Sequence, residues 1–149
     1  MVSSVLAPVQ QRGREALQRL GLPTRKQEAW RLTDLKRLEV LATLPEVSET
    51  SNPLMPEVSD GVTRLVLGGQ MDPLDGVSLP EGVTPLTDAE LNRHLGQTLD
   101  HCGCAEAWPV ELNHAHSQHV LALRVCGKVP ALELVLATGA GLTATRVLL

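Results

Sequence analysis

From Val120 onward the hydrophobic pattern of this 149-residue chain changes period, and that change limits the folds open to it. Leu121, Leu123 and Val125 alternate with Ala122 and Arg124, while Leu132, Leu134 and Leu136 alternate with Glu133, Val135 and Ala137. The stretch Leu142 to Leu149 again reads as extended. A period of two belongs to strands, because successive side chains leave a strand on opposite faces. Leu123, Leu134 and Thr145 are corresponding positions, eleven residues apart, and the breaks fall at Gly127, Pro130 and Gly139-Ala140-Gly141. Short strands at even spacing suit either an antiparallel meander or the first turns of a β-solenoid. Periodicity leaves both open.

What fills the core is also constrained. The chain has no Phe or Tyr and only two Trp, so its core must be aliphatic, built from Leu, Val and Ala. The length suffices for one domain with a respectable core. Net charge is −4. Without rings for bases to stack on and without a long basic tract, nucleic acid is not expected as a partner. The charge is uneven: residues 1–38 hold eight of the thirteen Lys/Arg against Glu15, Glu28 and Asp34, a balance of +5 that leaves −9 for residues 39–149. A solvated basic helix pair accounts for this, and a docking face for an acidic partner is the alternative. No stretch has the h-region of a signal peptide or eighteen consecutive apolar residues, so a soluble, cytoplasmic protein without a membrane partner is expected. Three cysteines, two of them one residue apart, make a poor disulfide framework and agree with a reducing compartment.

Before Val120 the signals are mainly helical. Val5, Val9, Ala16, Leu17 and Leu20 recur near helical spacing, predicting a helix over Ser4 to Leu20 that Gly21 stops and that frays at Pro8 and Gly13. Pro23 to Asp34 follows, with Thr24 expected as a cap paired with Gln27, Trp30 and Leu32 expected to plug the core, and Arg25, Lys26 and Arg31 expected to stay wet. Asp34 is placed to cap a short helix bearing Leu35, Leu38 and Leu41, which Pro45 ends. Residues 45–60, rich in Pro, acids and Ser/Thr, read as an exposed flexible linker. Val62–Leu67 and Val83–Thr84 read as a small strand pair. Gly68-Gly69 lacks phosphate-loop spacing. Thr87-Asp-Ala-Glu90 is a capping box opening a helix whose Leu91, Leu95 and Leu99 share a face, and Val110 to His116 forms a further short helix after Pro109.

One cluster suggests chemistry: His101-Cys102-Gly103-Cys104, His114-Ala115-His116 and His119, with Cys126 further on. Thiolates and imidazoles are the ligands that zinc and iron–sulfur clusters take. The spacing argues against a site, since Cys-x-Cys is tighter than the usual Cys-x₂₋₄-Cys and no second pair follows. On a strand His114 and His116 share a face; on a helix they point about 200° apart. Cys102, Cys104, His114 and His116 therefore stand as metal candidates only, with a structural role preferred. A thiol–imidazole–carboxylate set of Cys104, His114 and Asp100 has no elbow or oxyanion-hole motif around it, and no catalytic residue is singled out.

The segment Pro23, Thr24, Glu28, Trp30, Arg31, Thr33 and Asp34, in the pattern P-T-x-x-x-E-x-W-R-x-T-D, resembles the N-terminal signature of the SufD/SufB family, scaffold proteins of the SUF iron–sulfur cluster assembly machinery. Leu32 stands where that family has tyrosine or phenylalanine. Leu112-Asn113 and the run to Leu149 are similar to the family's entry into its central β-helix, and the short N-terminal region favours the SufD branch. The resemblance implies an α+β fold: a partly helical N-terminal domain over 1–116 with a small strand pair, then the start of a right-handed parallel β-helix over 117–149. It also implies a non-catalytic subunit that pairs with SufB and docks a SufC-like ATPase, the iron–sulfur cluster belonging to the full assembly complex and no cofactor to these residues. The family's SufC-docking and cluster-related residues lie beyond Leu149. Because Val147-Leu148-Leu149 is an apolar strand without a cap, the chain reads as an N-terminal piece of a longer protein that self-associates through residues 119–149. A small Cys/His metal-binding or redox module is the alternative function, and an adaptor using the basic N-terminal helices is a third.

Overall fold

Helix α1 spans Ala7–Leu20. A computed structural model describes residues 5–46, 55–68, 72–103 and 107–149 and, at 98 and 99, the backbone alone. The expected fraying of α1 does not occur. Pro8 lies in the first turn, where an intrahelical N–H partner is not needed, and Gly13 continues the helix without a break. The buried residues of α1 are small, Gly13 and Ala16, so its packed face admits close approach by another helix. At its end Gly21 takes φ 62° and returns its N–H to the Leu17 carbonyl.

The next segment is built from short turns. Residues Glu28–Trp30 form one 3₁₀ turn and Leu35–Thr43 form α2, whose N-cap Asp34 accepts from the Lys36 N–H at 3.2 Å. Helix α2 stops at Thr43, just before Leu44-Pro45. Thr24 does not cap a helix: its N–H donates to Gln27 Oε1 at 3.1 Å, and Gln27 is itself the N-cap of the 3₁₀ turn. The core roles expected for Trp30 and Leu32 also need correction. Trp30 is half-buried, whereas Leu32 is 93% exposed. One 3₁₀ turn followed by a bend is too short to present two residues to the same side, so Leu32 falls between the turn and the α2 cap. Arg25, Lys26 and Arg31 are exposed, as expected. Pro23 and the other tryptophan, Trp108, are the buried members.

Strands β1 (Thr63–Leu67) and β2 (Val83–Pro85) precede α3 (Asp88–His94), α4 (Gln97–His101) and α5 (Trp108–His116). Strands β3 (Val120–Val125), β4 (Leu132–Leu136) and β5 (Arg146–Leu148) complete the order. The capping box is present, with Thr87 and Glu90 exchanging hydrogen bonds, but the helix it opens does not reach position 99 unbroken. Gly96, at φ 83°, turns the chain between α3 and α4.

The strand pairings differ from the expected pair of β1 with β2. Strand β1 runs parallel to β4, from Thr63↔Leu132 to Leu67↔Leu136, and β2 runs antiparallel to β3. Nearness in sequence was a poor guide, because no short hairpin turn joins β1 to β2 to set a register. Strand β5 lies parallel to β3, with Val120↔Arg146 and Ala122↔Leu148 in register. The ladders are β1-β4 and β2-β3-β5, so no meander of β3, β4 and β5 forms. Both sheets join strands from before residue 116 to strands after it. Of the 45–60 connection, residues 45–46 and 55–60 are described; Glu46 forms a parallel bridge with Leu142, and residues 55–60 carry no helix or strand.

Strand β3 is buried on both faces. Leu121 and Leu123 pack with Leu65, Leu67 and Val83, while Ala122 packs with Val5 and Leu91 on the helical side. The architecture is thus a layer of helices, the β2-β3-β5 sheet, and the β1-β4 sheet, a mixed helix and strand fold with an aliphatic core. Among the described residues no helix is long and apolar enough to cross a membrane.

Candidate functional site

The buried polar groups gather where α1 crosses α5. A Cβ placed on Gly13 would lie 2.6 Å from Ala115 N, 2.7 Å from His114 Cβ and 2.8 Å from Glu111 O, so only glycine permits this approach. Glu111 and His114, one turn apart on α5, are 1% and 0% exposed. His114 Nδ1 stands 3.0 Å from Glu111 Oε2, within hydrogen-bond distance. Its Nε2 is buried without a partner among the described residues. Gln10 Nε2 ties α1 to the Ser117 carbonyl at 2.7 Å, and the Ser117 hydroxyl donates to the Asn113 carbonyl at 2.6 Å.

Around this crossing lie two arginines. Arg12 makes a bidentate pair with Asp100, at 3.0 and 2.7 Å, which raises the Arg12 pKa and lowers that of Asp100 through the hydrogen bond. Arg146, at the start of β5, is different. Burial pushes its pKa down and the charge of Arg12 adds to that, while Glu111 opposes both. Its Nη1 is buried with no hydrogen-bond acceptor among the described residues. Asn113 fixes the strand beside it by donating from Nδ2 to the Thr145 carbonyl at 3.1 Å.

Arg146 and Asn113 border a cleft of about 240 Å³ between the α3–α4 turn, α5 and β5. His94 and Thr145 complete its polar wall, and Leu95 and Leu148 belong to its apolar wall. The cleft was not legible in the sequence: Asn113 stood out only as part of a family-like motif, and no spacing signal links His94 to Arg146. The pair Glu111 and His114 had a signal, since i and i+3 meet on a helix.

The described metal candidates, Cys102, His114 and His116, are not brought together. Because 114–116 is helical, His114 turns inward to Glu111 while His116 turns outward, its Nδ1 2.8 Å from Glu46 Oε1. Gln118 donates to the other oxygen of Glu46 at 2.7 Å. Cys102 is exposed, and Cys104 lies outside the described residues. Among the described residues no group of three His, Cys, Asp or Glu is placed to hold a metal ion. Of the set Cys104, His114 and Asp100, Cys104 lies outside the described residues, while His114 is engaged by Glu111 and Asp100 by Arg12. Glu111 and His114 form a carboxylate–imidazole pair, but both are sealed from solvent, out of reach of a substrate proton.

The signature-like residues divide between burial and exposure. Pro23 is buried, Trp30 and Thr33 are half-buried, and Thr24, Glu28, Arg31 and Asp34 are exposed. Glu28 and Arg31 form an exposed pair at 3.6 Å, and Thr33 N–H closes a turn on the Trp30 carbonyl. Leu112 is 5% exposed, in the core beneath α5. In comparisons with known proteins, no family model, curated protein or solved structure matches the chain.

Proposed function

We propose that this chain is SufD-like: a partly helical N-terminal region leading into the first coils of a right-handed parallel β-helix, within a non-catalytic scaffold subunit of iron–sulfur cluster assembly. The observation that carries the reading is the parallel ladder of β3 with β5, the next-but-one strand, entered directly after Leu112-Asn113. A solenoid stacks each coil on the one before in this manner, and β1 on β4 gives a second parallel ladder beside it. The Pro23–Asp34 pattern adds the sequence support. In this reading the partners of the complete subunit are a SufB-like protein and a SufC-like ATPase, and the cluster is the product of the assembled complex. Residues 119–149 serve as an association surface, with Leu134 41%, Leu136 64% and Leu149 74% exposed.

The test is affinity isolation, from its native cells, of the natural protein that contains these residues. Recovery of SufB-like and SufC-like proteins is the expected result, and recovery of neither would sink the reading. Residues 1–149 alone should retain no SufC-like ATPase.

A further inference from the structure

The cleft beside β5 is bordered by a guanidinium that has a buried donor, Nη1, without an acceptor among the described residues and only the charge of Glu111 acting in its favour. Its titratable wall residues are His94 and Arg146, and no carboxylate lines it. Every other arginine that reaches across the described structure has a carboxylate partner: Arg12 takes Asp100, Arg64 takes Glu133 and Arg124 takes Glu90. The Arg146 side chain has no hydrogen bond or ion pair among the described residues, yet it is largely desolvated and its Nη1 is fully buried. A buried donor on a cation without an acceptor is costly, and an anion meeting the part of the Arg146 side chain that lines the cleft offsets that cost through its charge.

Size and chemistry narrow the ligand. A cleft of about 240 Å³ is below the roughly 300–1,000 Å³ of pockets for drug-sized ligands. A guanidinium presents a fork of donors that matches a carboxylate or phosphate, while Leu95 and Leu148 offer an apolar wall. We infer that the cleft between the α3–α4 turn, α5 and β5 is a binding site for a small oxyanion, a carboxylate or phosphate group on a body of a few heavy atoms, held by the Arg146 guanidinium with His94 at its rim. Asn113 is a positioning residue: its bond to the Thr145 carbonyl holds the start of β5, and so Arg146, against α5.

The experiment is an NMR titration of ¹⁵N-labelled protein with inorganic phosphate and, separately, with propionate, at constant ionic strength against chloride. Saturable shifts in the millimolar range are expected at the amides of Gly96, Asn113 and Val147. Saturation by phosphate alone, by propionate alone or by both supports the site and identifies which oxyanion it takes. Arg146→Gln should weaken binding about ten- to hundredfold, with Arg146→Lys keeping part of it. His94 is exposed, so His94→Gln leaves the fold intact and should weaken binding a few-fold, a check that does not depend on how well the Arg146 variants fold. No saturable shift with either anion beyond the chloride control, or undiminished binding in a folded Arg146→Gln protein, would overturn the inference.

Discussion

Gly13 and Glu90 show how single residues set local energetics. At Gly13 the atoms within 3 Å of an added Cβ include the backbone of α5. Alanine gains about 1 kcal/mol of helix propensity, but forcing two helices apart costs about 1–3 kcal/mol or more. Gly13→Ala should therefore be destabilised in urea titrations despite lying in a helix. Glu90 is governed by hydrogen bonds: the Thr87 backbone N–H first, then the Thr87 hydroxyl, then Arg124 bring its pKa from 4.5 down to about 2. A carboxylate depressed in this way contributes stability that is complete above the unfolded value and is lost as pH falls from about 4.5 towards 2. Glu90→Gln should lower the melting temperature at neutral pH and flatten the pH dependence across that window; an unchanged acid profile would show that the capping box is idle.

At the scale of elements, the breaks matter as much as the elements. Thr87-x-x-Glu90 and Asp34 marked two helix starts correctly, because caps are local chemistry written in adjacent residues. The stop at Gly96 was missed, because Leu91, Leu95 and Leu99 kept helical spacing across it and a lone glycine inside such a pattern is no certain terminator. Its φ of 83° now explains the residue. An added Cβ at Gly96 would make ordinary van der Waals contacts, with Arg12 Nη1 at 3.7 Å and Val9 Cγ2 at 3.9 Å. The penalty of Gly96→Ala is therefore backbone strain alone, about 1–2 kcal/mol, readable as a lower midpoint in chemical denaturation. Since Gly96 also borders the cleft, the same variant should perturb that wall.

For the whole molecule, β3 is the element on which the layers converge, with Leu121 and Leu123 on one side and Ala122 on the other. Strand β4 is the contrast, since Leu134 and Leu136 are exposed on it. Light scattering at rising concentration is expected to show association, and Leu134→Lys with Leu136→Lys is expected to abolish it. A concentration-independent monomer before any substitution would remove residues 119–149 as an association surface.

The sequence by itself determined the aliphatic core, the helix caps at Asp34 and Thr87 and the places of β1, β3 and β4, because each of these is settled by neighbours within a few residues. The tertiary structure alone decided which strands pair, that His114 belongs to Glu111 and His116 to Glu46, and that Arg146 Nη1 lies buried without a partner among the described residues, on a side chain beside a cleft. Those outcomes depend on contacts between residues far apart in the chain, such as Gly13 against Ala115 and Asn113 against Thr145. No local period carries that information, because a period says which face is apolar and not what will cover it.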